Sequence, residues 1–282
     1  MTLFESYNIG LNILKSAGFN NPAFDSFCLF SHVYDINKHT YLINKNNPAE
    51  SSFHNHFIDL INLRKAHYPL QYLIKTWEFM GLNFSVGKGV LIPRPDTEIL
   101  VDSILNLLKI NDNNSPRILD LCCGSGCIAV ALKYFFPESQ VTAVDCSDDA
   151  LKFAHDNAAI NKTNITFIKD DILKPTHKFN HSFDIIVSNP PYIASDVVKA
   201  LEPEVLFEPL LALDGGADGL DFYRSIIKNY SKNLNHNGFL CFEIGFNQAM
   251  DVSLILKSFG FNNIKLLKDY NKNNRVLIAK KE

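Results

Sequence analysis

Asn189, Pro190, Pro191 and Tyr192 stand directly after the apolar run Phe183–Ser188. Two consecutive prolines remove two backbone donors and fix two φ angles, so an extended run must stop there in a stiff turn. Taken alone, such a tetrapeptide is an ordinary strand stop, because Asn and Pro are common turn residues. Its polar groups nevertheless suit one task. The Asn189 side-chain oxygen and the Pro190 carbonyl are two acceptors on one rigid segment, able to hold an NH2 group in a single orientation. A carboxamide nitrogen is a poor nucleophile because its lone pair is delocalised. Two fixed acceptors would aim it and stabilise positive charge as it develops. Tyr192 is expected to pack its ring on the amide plane, exclude water and offer its face to a cation.

A second set of residues could hold a small molecule. Asp120 lies near the end of the run Arg117–Leu121, and Cys122, Cys123, Gly124, Ser125 and Gly126 follow it. Glycines let the backbone turn tightly and approach a ligand, and a helix start beyond them offers free N–H groups. Asp145 ends the next run, where a carboxylate can accept both hydroxyls of a ribose. Asp171, followed by Ile172, ends the third, where a carboxylate can meet an adenine amine. Gly124, Gly126 and Ala129 fit a relaxed dinucleotide spacing. A dinucleotide, however, explains neither Asp120 nor the Asn189–Tyr192 turn. S-adenosylmethionine, a nucleoside with an amino-acid tail, uses all three acidic positions and needs no diphosphate cradle.

These groups require strands that end side by side. From Arg117 onward, strands and helices alternate. Strands are predicted at Arg117–Leu121, Gln140–Val144, Asn164–Ile168, Phe183–Ser188 and Phe239–Ile244, with helices at Ile128–Phe136, Ser147–Asn161, Asp221–Leu234 and Asn247–Phe259. Ile264–Leu267 and Arg275–Ala279 read as a closing hairpin-like pair. Repeated βα units imply an α/β fold with a doubly wound, mainly parallel sheet, in which ligands bind at the carboxyl ends of strands. Residues 1–75 show helical spacing instead: Leu3–Gly18, Pro22–Val33, a weaker Asp35–Leu42, and Ser52–Ala66. Pro69–Ile92 alternates around Gly81 and reads as a β-hairpin. Arg94, between Pro93 and Pro95, then leads into a helix that Asp96 or Thr97 can cap. Asn111–Asn114 reads as loop.

Composition is that of an ordinary globular chain: 282 residues, 46% hydrophobic and 20% charged, with net charge −3. That charge argues against affinity built by coating phosphates with Lys and Arg. The first 75 residues carry six basic and five acidic side chains, too neutral a surface for reading DNA. The six cysteines lack the paired spacing of a zinc site, so no metal is expected, and they read as small reduced thiols. Neither a signal peptide nor an apolar stretch of about 18 residues is seen, so a cytoplasmic protein without a membrane span is expected.

The residues carry a resemblance to a known family. Leu91–Glu98 and Val187–Ile193 resemble the most specific stretches of the peptide-chain-release-factor glutamine N5-methyltransferases (the PrmC/HemK family), a class of S-adenosylmethionine-dependent enzymes with a Rossmann-like fold. Glu204, Phe207–Pro209, Ala212–Leu213, Gly215–Gly216, Asp218–Leu220, Glu243–Gly245 and Gln248 support it. The Asn189–Tyr192 motif is shared with DNA adenine methyltransferases, whereas Leu91–Glu98 is not.

The resemblance runs from about Pro69 to the C-terminus. It implies methyl transfer from S-adenosylmethionine to the glutamine side-chain nitrogen of the Gly-Gly-Gln motif in class 1 release factors, leaving S-adenosylhomocysteine. The alternative is N6-adenine methylation of DNA or RNA. It further implies a helical substrate-docking domain over 1–75, a hairpin linker over 76–92 and a methyltransferase domain over 93–282. The chain is expected to act as a monomer without direct nucleic-acid binding. By this resemblance the methionine part of the cofactor lies at the Asp120–Gly126 segment, the ribose at Asp145 and the adenine at Asp171 and Ile172. Asn189, Pro190, Pro191 and Tyr192 hold the substrate, and Asn189 also meets the cofactor. The chain departs from the pattern at Cys122 and Cys123, where the family has Gly and Thr, and at Ile172, where it often has an aromatic. It departs again at Lys75, usually Gly, and at Tyr270–Lys272, usually a more Gly-like turn.

Overall fold

The computed structural model describes residues 1–110 and 113–282. Of the predicted Asn111–Asn114 loop, Asn111 and Asp112 therefore lie outside the described residues. The chain divides into two compact units, Met1–Thr76 with Glu202–Phe207, and Trp77–Leu201 with Glu208–Glu282.

The first unit is helical: α1 (Leu3–Ser16), α2 (Pro22–Tyr34), α3 (Lys38–Asn44), α4 (Ser51–Lys65) and α5 (Leu70–Ile74). A capping box starts α1, with the Thr2 hydroxyl accepting from the Glu5 N–H and the Glu5 carboxylate accepting from the Thr2 N–H. Leu14, Leu29, Phe30, Phe57 and Ile61 form the buried centre. Gly10 lets α1 approach α4, since a β-carbon there would sit 2.4 Å from the Phe57 ring. Arg64 is buried against Asp25 (2.8 Å) and Glu204 (2.6 Å), and lies over the Phe19 ring. Its two carboxylate partners replace the water it loses.

Two elements of this region differ from the sequence expectation. The third helix begins at Lys38 rather than Asp35, because Asp35 turns left-handed at φ 49° and the Asn37 side chain caps the helix by accepting from the Thr40 N–H. Leu73 was read as part of a strand alternation, but it lies in the short helix α5, which follows Pro69 and ends where Lys75 adopts φ 61°. A period of two and a single helical turn cannot be told apart over five residues.

The second unit starts with the hairpin β1 (Thr76–Phe79) and β2 (Leu82–Ser85), turned by Met80 and Gly81, both at positive φ. Helix α6 (Pro95–Ile110) follows, with Pro95 at its first position. Asp96 and Thr97 thus sit inside its first turn rather than capping it. Then come β3 (Arg117–Leu121), α7 (Cys127–Phe135), β4 (Gln140–Asp145), α8 (Asp148–Ile160), β5 (Thr166–Lys169) and β6 (Phe183–Ser188). The short helix α9 (Ser195–Val198), α10 (Asp221–Tyr230), β7 (Leu234–Glu243), α11 (Ala249–Ser258), β8 (Asn263–Lys268) and β9 (Asn274–Lys280) complete it. Strand β7 starts five residues earlier than predicted. Its pairing with β6 is irregular between Phe183 and Ile185, and this absorbs the extra length. Helix α10 ends correspondingly early, at a 3-10 turn over Ser231–Asn233.

The seven strands lie in the order β5-β4-β3-β6-β7-β9-β8. Strands β3 to β7 are parallel, and β9 and β8 close the edge antiparallel. Successive residues of a strand face opposite layers. Ile118, Ile185 and Val187 join the core shared with α6, α7 and α8, while Leu119, Leu121 and Ile186 join the one shared with α10 and α11. The result is the doubly wound, mainly parallel α/β sheet expected. No helix of the described residues is long and apolar enough to cross a membrane.

Candidate active site

Register brings the predicted groups to one edge of the sheet. Leu121 pairs with Val144 on one side and with Ser188 on the other, and Ser188 pairs in turn with Phe242. Cys122, Asp145, Asn189 and Glu243 each come one residue after these partners, so they leave the carboxyl edge at one level.

A cleft at this edge is lined by Cys122, Cys123, Gly124 and Ser125 from the β3–α7 turn, by Asp145 at the end of β4 and by Cys146 after it. Asp171, Ile172 and Leu173 after β5, Asn189 and Pro191 after β6, and the Val90–Arg94 segment with Thr97 complete its main walls. The turn is held in shape from within. The Gly124 N–H donates to Asp145 Oδ2 (2.8 Å), and the Ser147 N–H donates to Asp145 Oδ1 (3.0 Å). Each carboxylate oxygen keeps a lone pair for a further donor. Burial pushes the Asp145 carboxyl up, against these backbone donors. Gly124, at φ 53°, has open space where a side chain would project, so the cleft meets bare backbone there. Gly126 is left-handed too, at φ 76°, and a β-carbon there would press on Ala154 of α8 at 3.1 Å.

Cys122 occupies the same backbone region at φ 62°, which costs a side-chain-bearing residue about 1–2 kcal/mol. Lys75 and Lys272, at φ 61° and 66°, do likewise. All three are positions where the backbone favours glycine. The thiols around the cleft are poor nucleophiles. Burial and neighbouring carboxylates raise Cys122, Cys123 and Cys146, and burial pushes Cys127 up to about 12. All six cysteines are free, and among the described residues no group of three or more His, Cys, Asp or Glu could hold a metal ion.

Asp120, Gly126, Pro190 and Tyr192 do not line the cleft. Asp120 is wholly buried beneath the turn. Its Oδ2 accepts from the Ala129 N–H at 3.1 Å, while Oδ1 has no partner among the described residues, and burial raises its carboxyl well above the usual range. Tyr192 packs into the α10 side of the core and donates its hydroxyl to Glu243 Oε1 at 3.3 Å. Its ring packs against that core and does not line the cleft.

The turn itself is clamped. Asn189 Nδ2 donates to Thr97 Oγ1 (3.2 Å), whose hydroxyl donates to Glu243 Oε2 (2.6 Å). No described residue donates to Asn189 Oδ1. Gln248 Nε2 donates to the Tyr192 carbonyl (2.8 Å) and its Oε1 accepts from the Gly245 N–H (2.9 Å). The Ile193 N–H donates to the Leu213 carbonyl, and the Gly215 N–H to the Ile193 carbonyl. On the opposite wall, Glu208 is buried with the Arg94 guanidinium on one oxygen and the Ile92 N–H on the other (2.9 Å), which fixes Val90–Arg94. Glu98 accepts from the Met80 N–H at the hairpin turn (2.7 Å).

Thr97, Glu208, Glu243 and Gln248 carry this support. Their segments stood among the stretches quoted for the resemblance, but only the tertiary fold shows what each side chain touches.

Comparison with known proteins identifies related chains. The family model described as the PrmC N-terminal domain matches residues 7–74, and that described as the Methyltransferase small domain matches residues 97–208. The release factor glutamine methyltransferase of Fusobacterium nucleatum is 41% identical over 98% of this chain and 78% of its own length. The protein of the same name from Thermodesulfovibrio yellowstonii is 43% identical over 90% of each chain. Among solved structures, the T. thermophilus 16S rRNA N2 G1207 methyltransferase, in complex with AdoMet and guanosine, superposes with a TM-score of 0.54. At 17% identity over 73% of this chain and 50% of that one, it shows a shared fold only. The methyltransferase fold and the full-length relatives lead to one conclusion: this chain belongs to the release factor glutamine methyltransferase family, whose members use S-adenosylmethionine.

Proposed function

We propose that this chain transfers a methyl group from S-adenosylmethionine to the side-chain amide nitrogen of the glutamine in the Gly-Gly-Gln motif of class 1 peptide chain release factors. The observation that carries the reading is Asn189. It lines the cleft with its NH2 engaged by Thr97 and its oxygen committed to no protein group. An oriented acceptor beside a cofactor cleft is what a weakly nucleophilic amide requires.

The cleft suits the cofactor. The bare backbone at Gly124 leaves room for the methionine portion, the remaining lone pairs of Asp145 suit two ribose hydroxyls, and Ile172 offers an apolar surface to adenine beside Asp171. Asp120, buried beneath the turn, supports it through the Ala129 N–H at the start of α7. Bound in the cleft, S-adenosylmethionine supplies an electrophilic methyl group and leaves as S-adenosylhomocysteine. Asn189 Oδ1, which lines the cleft, accepts from the glutamine NH2 and aims its nitrogen, and Pro190, outside the cleft lining, stiffens the turn that carries it. Pro191 keeps the turn rigid, and Tyr192 secures it from behind through Glu243. The extra proton on nitrogen passes to water.

In this reading residues 1–75 dock the release factor, 76–92 link, and 93–282 carry the chemistry. The protein works as a cytoplasmic monomer without direct nucleic-acid contact. The adenine alternative is not favoured by the names of the relatives. An Asp145→Ala variant is expected to weaken S-adenosylmethionine binding by roughly 10- to 100-fold in calorimetry, because hydrogen bonds to a charged group and the brace on Gly124 are lost together. The acceptor is tested with methyl-labelled cofactor offered separately with recombinant release factor and with duplex DNA. Label is expected in the release factor, and label in DNA alone would reject the proposal.

A further inference from the structure

Thr97 and Glu243 are 146 residues apart in sequence, yet they meet through a 2.6 Å hydrogen bond directly behind Asn189. Both are buried, with 2% of each residue exposed. An asparagine side chain can sit either way round, with its oxygen or its nitrogen toward a given partner, and the two ends differ little in shape. Only one way round presents an acceptor to the glutamine NH2. The hydrogen-bond order behind Asn189 selects it. Burial pushes the Glu243 carboxyl up, against the Thr97 and Tyr192 hydroxyls and the Arg275 charge; in its ionised form it has no donor, so both hydroxyls that reach it, from Thr97 and from Tyr192, donate to it. The Thr97 proton is then committed, and Thr97 Oγ1 can only accept. Asn189 must therefore turn its NH2 to Thr97 (3.2 Å), which leaves Oδ1 as the free end in the cleft. Hydrogen bonds in such a chain polarise one another, so the charge of Glu243 also increases the negative character of Oδ1.

We infer that Thr97 and Glu243 are positioning residues for methyl transfer, a relay that fixes Asn189 with its acceptor toward the substrate amide. This rests on the proposed role of Asn189 and adds the device that sets its orientation. Glu243 is itself held by its surroundings. Tyr192 and Thr97 donate to it, the Arg275 guanidinium lies near, and Arg275 is in turn paired with Asp96 and Asp269.

The test is steady-state methyl transfer by the full chain with Thr97→Val, which keeps the shape and removes the hydroxyl, and Thr97→Ser, which keeps the hydroxyl and removes the methyl. For Thr97→Val, kcat is expected to fall on the order of 10-fold, with KM for the release factor and Kd for S-adenosylmethionine within about 2-fold of wild type, as for a contact felt mainly in the transition state. Thr97→Ser is expected to restore kcat to within about 2-fold of wild type. Should Thr97→Val not fold, Thr97→Ala takes its place with the same expectations. Wild-type kcat in the hydroxyl-free variant, or an equal loss in Thr97→Ser, would overturn the relay. Asn189→Ala, measured alongside, separates the two claims. If it lowers kcat by about 100- to 1000-fold while the hydroxyl-free variant keeps wild-type kcat, the site stands and the relay falls. If Asn189→Ala is fully active, the site itself falls.

Discussion

Replacing Asn189 by alanine is expected to lower kcat for methyl transfer by about 100- to 1000-fold, the range seen when one fixed polar group that stabilises a transition state is deleted. Binding of S-adenosylmethionine should change little, because the groups proposed to hold the cofactor come from other strand ends: the Cys122–Gly126 turn, Asp145, and the Asp171–Leu173 segment. Folding should also tolerate the change. The residue is half-exposed, and its one side-chain hydrogen bond, to Thr97, leaves Thr97 still bonded to Glu243. The expected signature is a protein with normal thermal stability and calorimetric cofactor affinity that turns over poorly. A parallel loss of cofactor affinity would show that Asn189 serves the cofactor rather than the amide.

The second large effect is expected at Gly219, far in sequence from the Asn189 turn and pressed against it. Its φ is 74°, and a β-carbon would lie 2.4 Å from the Tyr192 carbonyl oxygen and 2.8 Å from Gln248 Nε2. That carbonyl and that amide are the clamp on the tail of the turn. Gly219→Ala must therefore push Tyr192 back or break the Gln248 hydrogen bond. Overpacking of this kind costs about 1–3 kcal/mol, and the left-handed backbone adds about 1–2 kcal/mol. A fall in melting temperature of roughly 5–15 °C is expected for a unit of this size. The folded fraction should lose kcat as well, because Asn189 moves with the turn. Gly18→Ala is the control. Its φ is 80°, but nothing lies within 4 Å of the new carbon, so it should show the backbone cost without loss of turnover. Equal behaviour of the two variants would mean that the Gly219 contact does not brace the turn.

Much of the second unit was legible because its strands are short apolar runs bounded by turn chemistry. Phe183–Ser188 and Arg117–Leu121 were read with their observed bounds, since the prolines end one and the glycine turn ends the other. The acids Asp145 and Asp171 were legible for the same reason: a βα repeat brings the carboxyl ends of its strands, and the residues at or just beyond them, to one edge. What escaped the sequence is what depends on distant segments meeting. Nothing local marks Thr97 as the partner of Glu243, and as a residue in a helix's first turn it looked like a cap. Nothing local marks Glu204 as the partner of Arg64 in the helical unit, 140 residues away. The direction of Tyr192 escaped for a related reason. An aromatic after two prolines can face the cleft or the core, and a hydrogen bond to Glu243 together with α10-side packing turns it to the core. Leu73 was misread because one helical turn and a strand alternation look alike over five residues. The strained positions Cys122, Lys75 and Lys272 were visible as departures from glycine, but their cost became evident only from the backbone angles.

The central claim is that the cleft beside Asn189 directs a methyl group to the amide nitrogen of glutamine. It is tested most directly by incubating the full chain with S-adenosylmethionine and a release factor, then locating the added methyl by tandem mass spectrometry. The predicted result is a single methyl on the side-chain nitrogen of the glutamine in the Gly-Gly-Gln motif, absent when the Asn189→Ala variant is used. A methyl on any other atom, or undiminished glutamine methylation by Asn189→Ala, would contradict it.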